Sequence, residues 1–378
     1  MRIALLSSGR FWLCDLAREL EARGHDVTFY SLVPPSHTSR FGLPARCSRW
    51  LSPQLAACHV AARRLAGTRL GAAANHLLCL ALDRVAARVV DRCDVFIGLS
   101  HLCLTTIESV RRRFGATIIV ERGSRHILSS RAILERVAPA ALRPRPVADW
   151  AVHRELAEYA LADLIVVPSK QAAQSFLDAG VPARKVFRNP YGVDLSMFPA
   201  TSAPPIESTP SIIMVGQWSL RKGCDTLVAA WQRLAEKRTR LVHVGSVGDV
   251  ALPSSPTFEH HTAIDQRQLT NWYAKAHVMA LASREEGLAL VQAQGLSSGL
   301  HVAATSRTGA EDLQEYLEEP TPVEITPPDD TEAFTAALTA QLERARRQTG
   351  LRDLLRSARA RFAWNAYGAR YDAMLRGC

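Results

Sequence analysis

The run VMALASREEGLALVQAQGLSSG occupies residues 278–299. VMALAS (278–283) is a short, continuously apolar segment, as expected of a strand buried on both faces of a parallel sheet. SREEGLALVQAQGLSSG (283–299) opens with two carboxylates and a glycine, then takes up apolar spacing typical of a helix. A helix is therefore expected from near Gly287 to Ser298. Strand, polar loop and helix form the unit of a doubly wound α/β sheet, whose ligands sit at the carboxyl ends of the strands.

The same unit recurs in both directions. Downstream lie HVAATSR (301–307), a helix from Ala310, and PVEIT (322–326). Upstream lie SIIMVGQ (211–217), a helix over 224–236, LVHVGSV (241–247) and a helix over 267–276. A second series begins at Arg2–Ser8, followed by an amphipathic segment 11–23 with Leu13, Leu16 and Leu20 at helical spacing, and DVTFYS (26–31). It continues with DVFIGLS (94–100), ATIIVERG (116–123), DLIVVPS (163–169) and KVFRNPYGV (185–193). Between the two series, FPATSAPPIESTPS (198–211) carries four prolines and no periodicity, as a linker does.

The expected fold class is α/β: two doubly wound, Rossmann-like domains facing a cleft. Residues 1–197 form the first domain, 198–210 the linker and 211–355 the second. Residues 356–378 form a terminal helical segment, and 331–375 read as helical throughout. A chain of 378 residues is long enough for two such cores.

Hydrophobic residues make up 47% and charged residues 22%, which excludes extended disorder. The net charge of +10 is carried by one half. Residues 1–200 hold 27 basic against 16 acidic side chains, and residues 201–378 hold 19 against 20. A basic first half suits an anionic partner or a solvated arginine-rich face. No recognised nucleic-acid module or aromatic–basic interleaving supports a nucleic-acid partner. The eight cysteines show no C-x-x-C and no zinc spacing, and most stand in apolar runs, so a reducing compartment is expected. The chain starts directly in a strand and its longest apolar run, 70–82, is too short to span a bilayer, giving a cytoplasmic expectation. Residues 55–92 set Arg63, Arg64, Arg69, Arg84 and Arg88 beside Leu- and Ala-rich turns. They read either as core helices with a basic outer side or as a peripheral contact with an anionic membrane surface on the inner face of the plasma membrane.

Two loops carry the chemistry. GQWSLRKG (216–223) places Arg221 and Lys222 between a strand and a helix, as a solvated basic pair or as counter-charges for a diphosphate. In the second loop, Glu286 stands before the helix start at Gly287, Leu288, Ala289 and Leu290, whose amides suit a phosphate, and Gln294 lies eight residues on. The alternative is an acidic pair that merely favours the helix start. In the first half, Gly9 and Arg10 follow the first strand. Arg122, Ser124 and His126 in VERGSRHI (120–127) follow another, placed to meet an acceptor or the transferred group.

GQWSLRKG resembles the G-x-x-x-x-R-K-G loop of family 4 glycosyltransferases. Residues 286–299 resemble their E-G-F-G-L-x-x-x-E-A-x-x-x-G motif. NPYGVDLSMF (189–198), TGAEDL (308–313), RFAWNAYGARYDAML (361–375), residues 154–186 and the R-G-S-x-H run at 122–126 are similar to further family segments. The resemblance implies the GT-B fold and a retaining, metal-independent transfer from a UDP- or GDP-linked sugar, with no cofactor. The implied acceptor is a glycan or lipid-linked molecule in cell-surface polysaccharide synthesis. It also implies that Arg221 and Lys222 hold the diphosphate, Glu286 the donor-sugar hydroxyls and residue 294 the ribose. Arg122 and His126 fall beside the transfer. Gln294 replaces the family's second glutamate and Ala289 a frequent glycine. A non-catalytic binding or scaffold subunit is the alternative that Gln294 keeps open.

Overall fold

The computed structural model describes residues 1–65, 70–137, 147–199, 209–236, 238–318, 321–347 and 358–377. Most of the expected linker (200–208), the expected domain end at 355 and Arg69 lie outside them.

Two parallel sheets organise the chain. The first consists of β1 (Arg2–Leu6), β2 (Asp26–Ser31), β3 (Ser48–Trp50), β4 (Val95–Leu99), β5 (Thr117–Glu121), β6 (Leu164–Val167) and β7 (Val186–Arg188), in spatial order β3-β2-β1-β4-β5-β6-β7. The second consists of β8 (Ser211–Val215), β9 (Arg240–Val244), β10 (Phe258–His261), β11 (Val278–Leu281), β12 (His301–Thr305) and β13 (Val323–Thr326), in order β10-β9-β8-β11-β12-β13. Strand order reverses beside β1 and β8, so each sheet has a switch point there, where the flanking loops diverge and leave a crevice. Every residue of β8, β11 and β12 is buried, matching their unbroken apolar sequence. The short edge strands β3 (SRW) and β10 (FEHH) carry no apolar run, and sequence periodicity does not reveal them.

Two expectations are corrected. The helix after β11 runs Leu290–Ser297, not from Gly287, because the Ala289 amide donates to the Thr308 carbonyl at 3.0 Å and holds 286–289 as a loop. The terminal helical stretch is broken at Ala363, whose ψ of 150° is extended. The following helix, Trp364–Arg376, packs on the helix Phe11–Glu21 that follows β1. There His25 Nε2 meets Asp372 at 2.7 Å, and Arg370 donates to Asn189 Oδ1 at 2.7 Å and to the Pro190 carbonyl at 2.6 Å.

The sheets are held together beside the SREEG loop. The Ser169 hydroxyl donates to the Gly287 carbonyl at 2.7 Å, and the Gln171 amide to the Glu286 carbonyl at 2.7 Å. Buried Asp312 accepts the Lys170 amide, at the start of the helix Lys170–Asp178, at 2.9 and 3.0 Å, and Arg188 at 2.9 Å. A carboxylate of one half thus satisfies the helix start of the other. Among the described residues no helix is long and apolar enough to cross a membrane.

Candidate active site

The loop after β8 is held on the end of β11. Gly223 has φ +65°, and a Cβ there would fall 1.9 Å from the Ala282 carbonyl oxygen, so only glycine lets the loop pass this close. Arg284 fastens it from the other side, donating to the Leu220 carbonyl and to Asp225, each at 2.6 Å.

This arrangement sets Lys222 against Glu286: the ammonium donates to Glu286 Oε1, and the Ser283 hydroxyl lies 3.3 Å from the same oxygen. Arg221 stands behind them, 3.7 Å from Glu286 Oε2, and donates to the Glu285 carbonyl at 3.1 Å. Burial pushes the Glu286 pKa up, but Lys222 and Arg221 outweigh it and hold the group below the usual carboxylate value, so it is ionised. Lys222 has three N–H donors and Glu286 takes one, leaving the ammonium able to meet a second anion. Gln294 is buried on the helix Leu290–Ser297, where Tyr273 donates its hydroxyl to Gln294 Oε1 at 3.2 Å.

A cavity of about 1050 Å³ opens between the two switch points. Its second-sheet wall includes Lys222, Glu286, Leu288, Ala289, Leu290 and Gln294. Its first-sheet wall includes Arg10, Phe11, Trp12, Arg18, Arg40 and Phe41. That volume is at the upper end for small-molecule sites. Among the described residues no cluster of three or more metal-ligating side chains occurs.

Several expected residues lie elsewhere. His126 does not reach the cavity: it is buried between Tyr159 and Phe176, with ring centroids at 5.2 and 4.9 Å. Burial, helped by Arg122, lowers its pKa to about 4, so it is a neutral core ring. Arg122 turns away to Glu155 at 3.2 Å and to the Arg125 carbonyl at 3.0 Å. The Ser124 hydroxyl is spent on Glu285 across the domain junction, joined there by Ser130 at 2.9 Å. Arg221, Gly287 and Gly9 border the cavity without lining it, whereas Gly123 does line it. Trp12, Arg18, Arg40 and Phe41 also line the cavity, and no sequence pattern marks them for it: Arg40 and Phe41 fall in the stretch 32–54, where the sequence shows no helix or strand period.

Trp12 leads to a buried acid. Its indole donates to Glu121 Oε2 at 2.9 Å, and its ring lies 4.8 Å from that of Tyr191. Burial raises Glu121 from 4.5 to about 7, against hydrogen bonds from Trp12, Tyr371 and Tyr367. Because the folded-state value lies above the unfolded one, the native state holds this proton between pH 4.5 and about 7. The group's contribution is therefore fully present below pH 4.5 and is lost as pH rises towards 7. Glu121→Gln, neutral at every pH, should gain stability relative to wild type between pH 5 and pH 8, by up to about 3 kcal/mol. Urea midpoints at the two pH values check this, and a gain on acidification instead would reject it.

Residues 12–197 match the family described as Glycosyltransferase Family 4, and residues 209–344 that described as Glycosyl transferases group 1. The D-inositol 3-phosphate glycosyltransferase of Xylanimonas cellulosilytica is 26% identical over 284 residues, which span 67% of this chain and 66%, just under two-thirds, of that relative. Among solved structures, sucrose-phosphate synthase from Thermosynechococcus elongatus superposes with a TM-score of 0.73 at 19% identity, covering 100% of this chain and 98% of the other. The HepE protein of Anabaena, solved with UDP-glucose, gives a TM-score of 0.65 at 13% identity, with 100% of each chain covered.

Proposed function

Since this chain belongs to the glycosyltransferases, with a family 4 domain followed by a group 1 domain on a GT-B fold, we propose that it moves a sugar from a nucleoside diphosphate to an acceptor hydroxyl with retention of configuration. The observation that carries this reading is the Lys222–Glu286 pair in the wall of a cavity shared by both sheets.

The diphosphate lies at Lys222, with Arg221 supplying charge from behind. Glu286 accepts hydrogen bonds from donor-sugar hydroxyls, and the backbone at Leu288–Leu290 closes around the sugar. Gln294 meets the ribose. The sugar C1–O bond to the diphosphate breaks as the acceptor oxygen attacks C1 from the same face, and the acceptor proton passes to the departing phosphate oxygen. The protein's contribution is positional and electrostatic. The NMR coupling of the product's anomeric proton reports retention, and an inverted product would reject this mechanism.

UDP is the favoured nucleotide because HepE is solved with UDP and with UDP-glucose. Calorimetric titration with UDP and GDP tests the donor reading. Gln294→Glu should bind the favoured nucleotide more tightly, by roughly 1 kcal/mol, since a charged acceptor makes the stronger hydrogen bond. Absence of binding by either nucleotide overturns the proposal.

The acceptor is a glycan or lipid-linked molecule of cell-surface glycan synthesis. A peripheral membrane contact is supported by exposed Val60, Arg63 and Arg64 on the helix Ala56–Arg64, exposed Leu77 on the helix Gly71–Val89 and exposed Leu70 just before it. Co-sedimentation with anionic vesicles at low salt is expected. A protein that stays in the supernatant would refute that contact.

A further inference from the structure

We infer that the first half holds a second binding site, a chamber at the carboxyl ends of β1, β2 and β4 that takes the carbonyl end of a fatty-acyl chain from a membrane lipid. This rests on the peripheral membrane contact of the proposed function.

The chamber measures about 210 Å³ and shares no lining residue with the transfer cavity. Leu32, Leu78, Cys79, Leu82, Leu99 and Leu102 form the apolar part of its wall. An apolar cavity of about 150 Å³ stays dry and takes up small apolar molecules, so this one has room for a few methylenes and the group next to them. No lining side chain is charged. His101 is the one titratable liner besides Cys79, and burial, with Arg154, Arg122 and His76, lowers its pKa to about 4, which leaves it neutral. The charges behind the wall are already matched. Asp83 accepts the Thr105 and Thr106 amides, each at 2.8 Å, and pairs with Arg154. Glu155 meets Arg122 at 3.2 Å, and Glu158 accepts the Cys103 amide at 2.9 Å. A charged group entering the chamber would lose its water and find no counter-charge, so the ligand is uncharged where the wall meets it.

The polar atoms of the wall point to a carbonyl. Ser100 is 6% exposed and lines the chamber, yet among the described residues its hydroxyl meets no hydrogen-bond partner. The Ser8 hydroxyl, on the neighbouring strand end, meets none either. The His101 ring lies 3.9 Å from Glu155, beyond hydrogen-bond reach, so its N–H is also unspent. A pure hydrocarbon would cover these donors and leave them unsatisfied. An ester carbonyl accepts from them and leaves its methylenes against the leucines. His101 is also held in place. Its φ is +79°, a conformation that costs a non-glycine residue energy, and Arg154 donates to its carbonyl at 2.9 Å while Glu158 accepts its amide.

The source of the chain follows from the helix Gly71–Val89. Asn75, Leu78, Cys79 and Leu82, at helical spacing, give one of its faces to the chamber. The same helix leaves Leu77 exposed, and exposed Leu70 stands just before it. These are side chains of the proposed membrane contact, so the element that meets the lipid surface also walls the chamber.

The probes are dihexanoyl phosphatidylcholine below its micelle concentration, its di-O-hexyl ether analogue, which lacks both carbonyls, and geraniol as an isoprenoid. Wild-type protein, Ser100→Ala and Cys79→Phe are titrated with each by calorimetry. The diacyl lipid should bind wild type about fivefold more tightly than the diether, the scale of one net hydrogen bond. Ser100→Ala should abolish that preference by weakening the diacyl lipid alone, because variant and analogue remove the same bond from its two ends. Cys79→Phe fills the chamber and should weaken both lipids by about tenfold or more. Should Cys79→Phe fail to fold, Ser100→Ala decides, since it opens no new space of consequence. Equal affinity for diacyl and diether lipid, tighter binding of geraniol, or binding unchanged in a folded Cys79→Phe overturns the inference. If anionic vesicles leave the protein in the supernatant while the short-chain lipid binds as described, the membrane contact is rejected and the chamber stands. Co-sedimentation without chamber-dependent binding of the short-chain lipid rejects the chamber and leaves the membrane contact.

Discussion

Glu286→Gln is expected to lower sugar transfer by about 10²–10³-fold, the range seen when one well-placed electrostatic contact to a transition state is removed. Positive charge builds on the donor sugar as its bond to the diphosphate stretches, and a fixed carboxylate at its hydroxyls interacts more strongly with that state than with the ground state. Glu286 is held ionised by Lys222 and Arg221, with its side chain 11% exposed, so its charge acts in a poorly screened site. Glutamine has the same shape and can still accept from Ser283 and Lys222, so the fold should persist. Lys222 loses its nearest counter-charge in the variant, so UDP should bind as well as or better than in wild type. Initial rates with calorimetric UDP affinity check both parts. A rate within about threefold of wild type would remove Glu286 from the mechanism.

The second large effect is steric. A Cβ on Gly287 would lie 2.0 Å from the Gly123 carbonyl oxygen, 2.7 Å from its carbon and 2.9 Å from the Ser124 Cα. All three are backbone atoms of the other half, and none can swing aside. Gly287→Ala must therefore push the two halves apart, breaking the Ser169–Gly287 and Ser124–Glu285 hydrogen bonds. Misplacing reacting groups by about 1 Å costs on the order of 10²-fold in rate. We expect transfer to fall by about that factor while UDP, whose proposed contacts are all on the second half, binds within about threefold of wild type. Full activity in Gly287→Ala would mean that this close approach is not the working arrangement.

Much of the site was legible because its residues belong to loops bounded by strong strand signals. Lys222 and Glu286 each follow an apolar run that can only be a buried strand, and strand ends in such sheets face the crevice. Glu286 and Gln294 both line the cavity even though the helix begins only at Leu290. His126 shows the limit. Its segment follows a strand just as Glu286 does, yet its ring turns inward between Tyr159 and Phe176. Arg40 and Phe41 show the converse: no pattern marks them, and they reach the cavity because Arg18 holds their turn.

By itself the sequence determined two α/β halves, their strand-and-helix alternation, and the two loops with a cation and a carboxylate. Those properties are written in local periodicity and turn chemistry, which depend on neighbours a few residues away. Tertiary structure alone decided which strand-end side chains enter the cavity, that Asp312 serves a helix of the opposite half, and that Arg10, Arg18 and Arg40, from separate segments, share the first-sheet wall. Each of these depends on contacts between segments distant in the chain, and no local pattern encodes the direction in which a side chain leaves a loop.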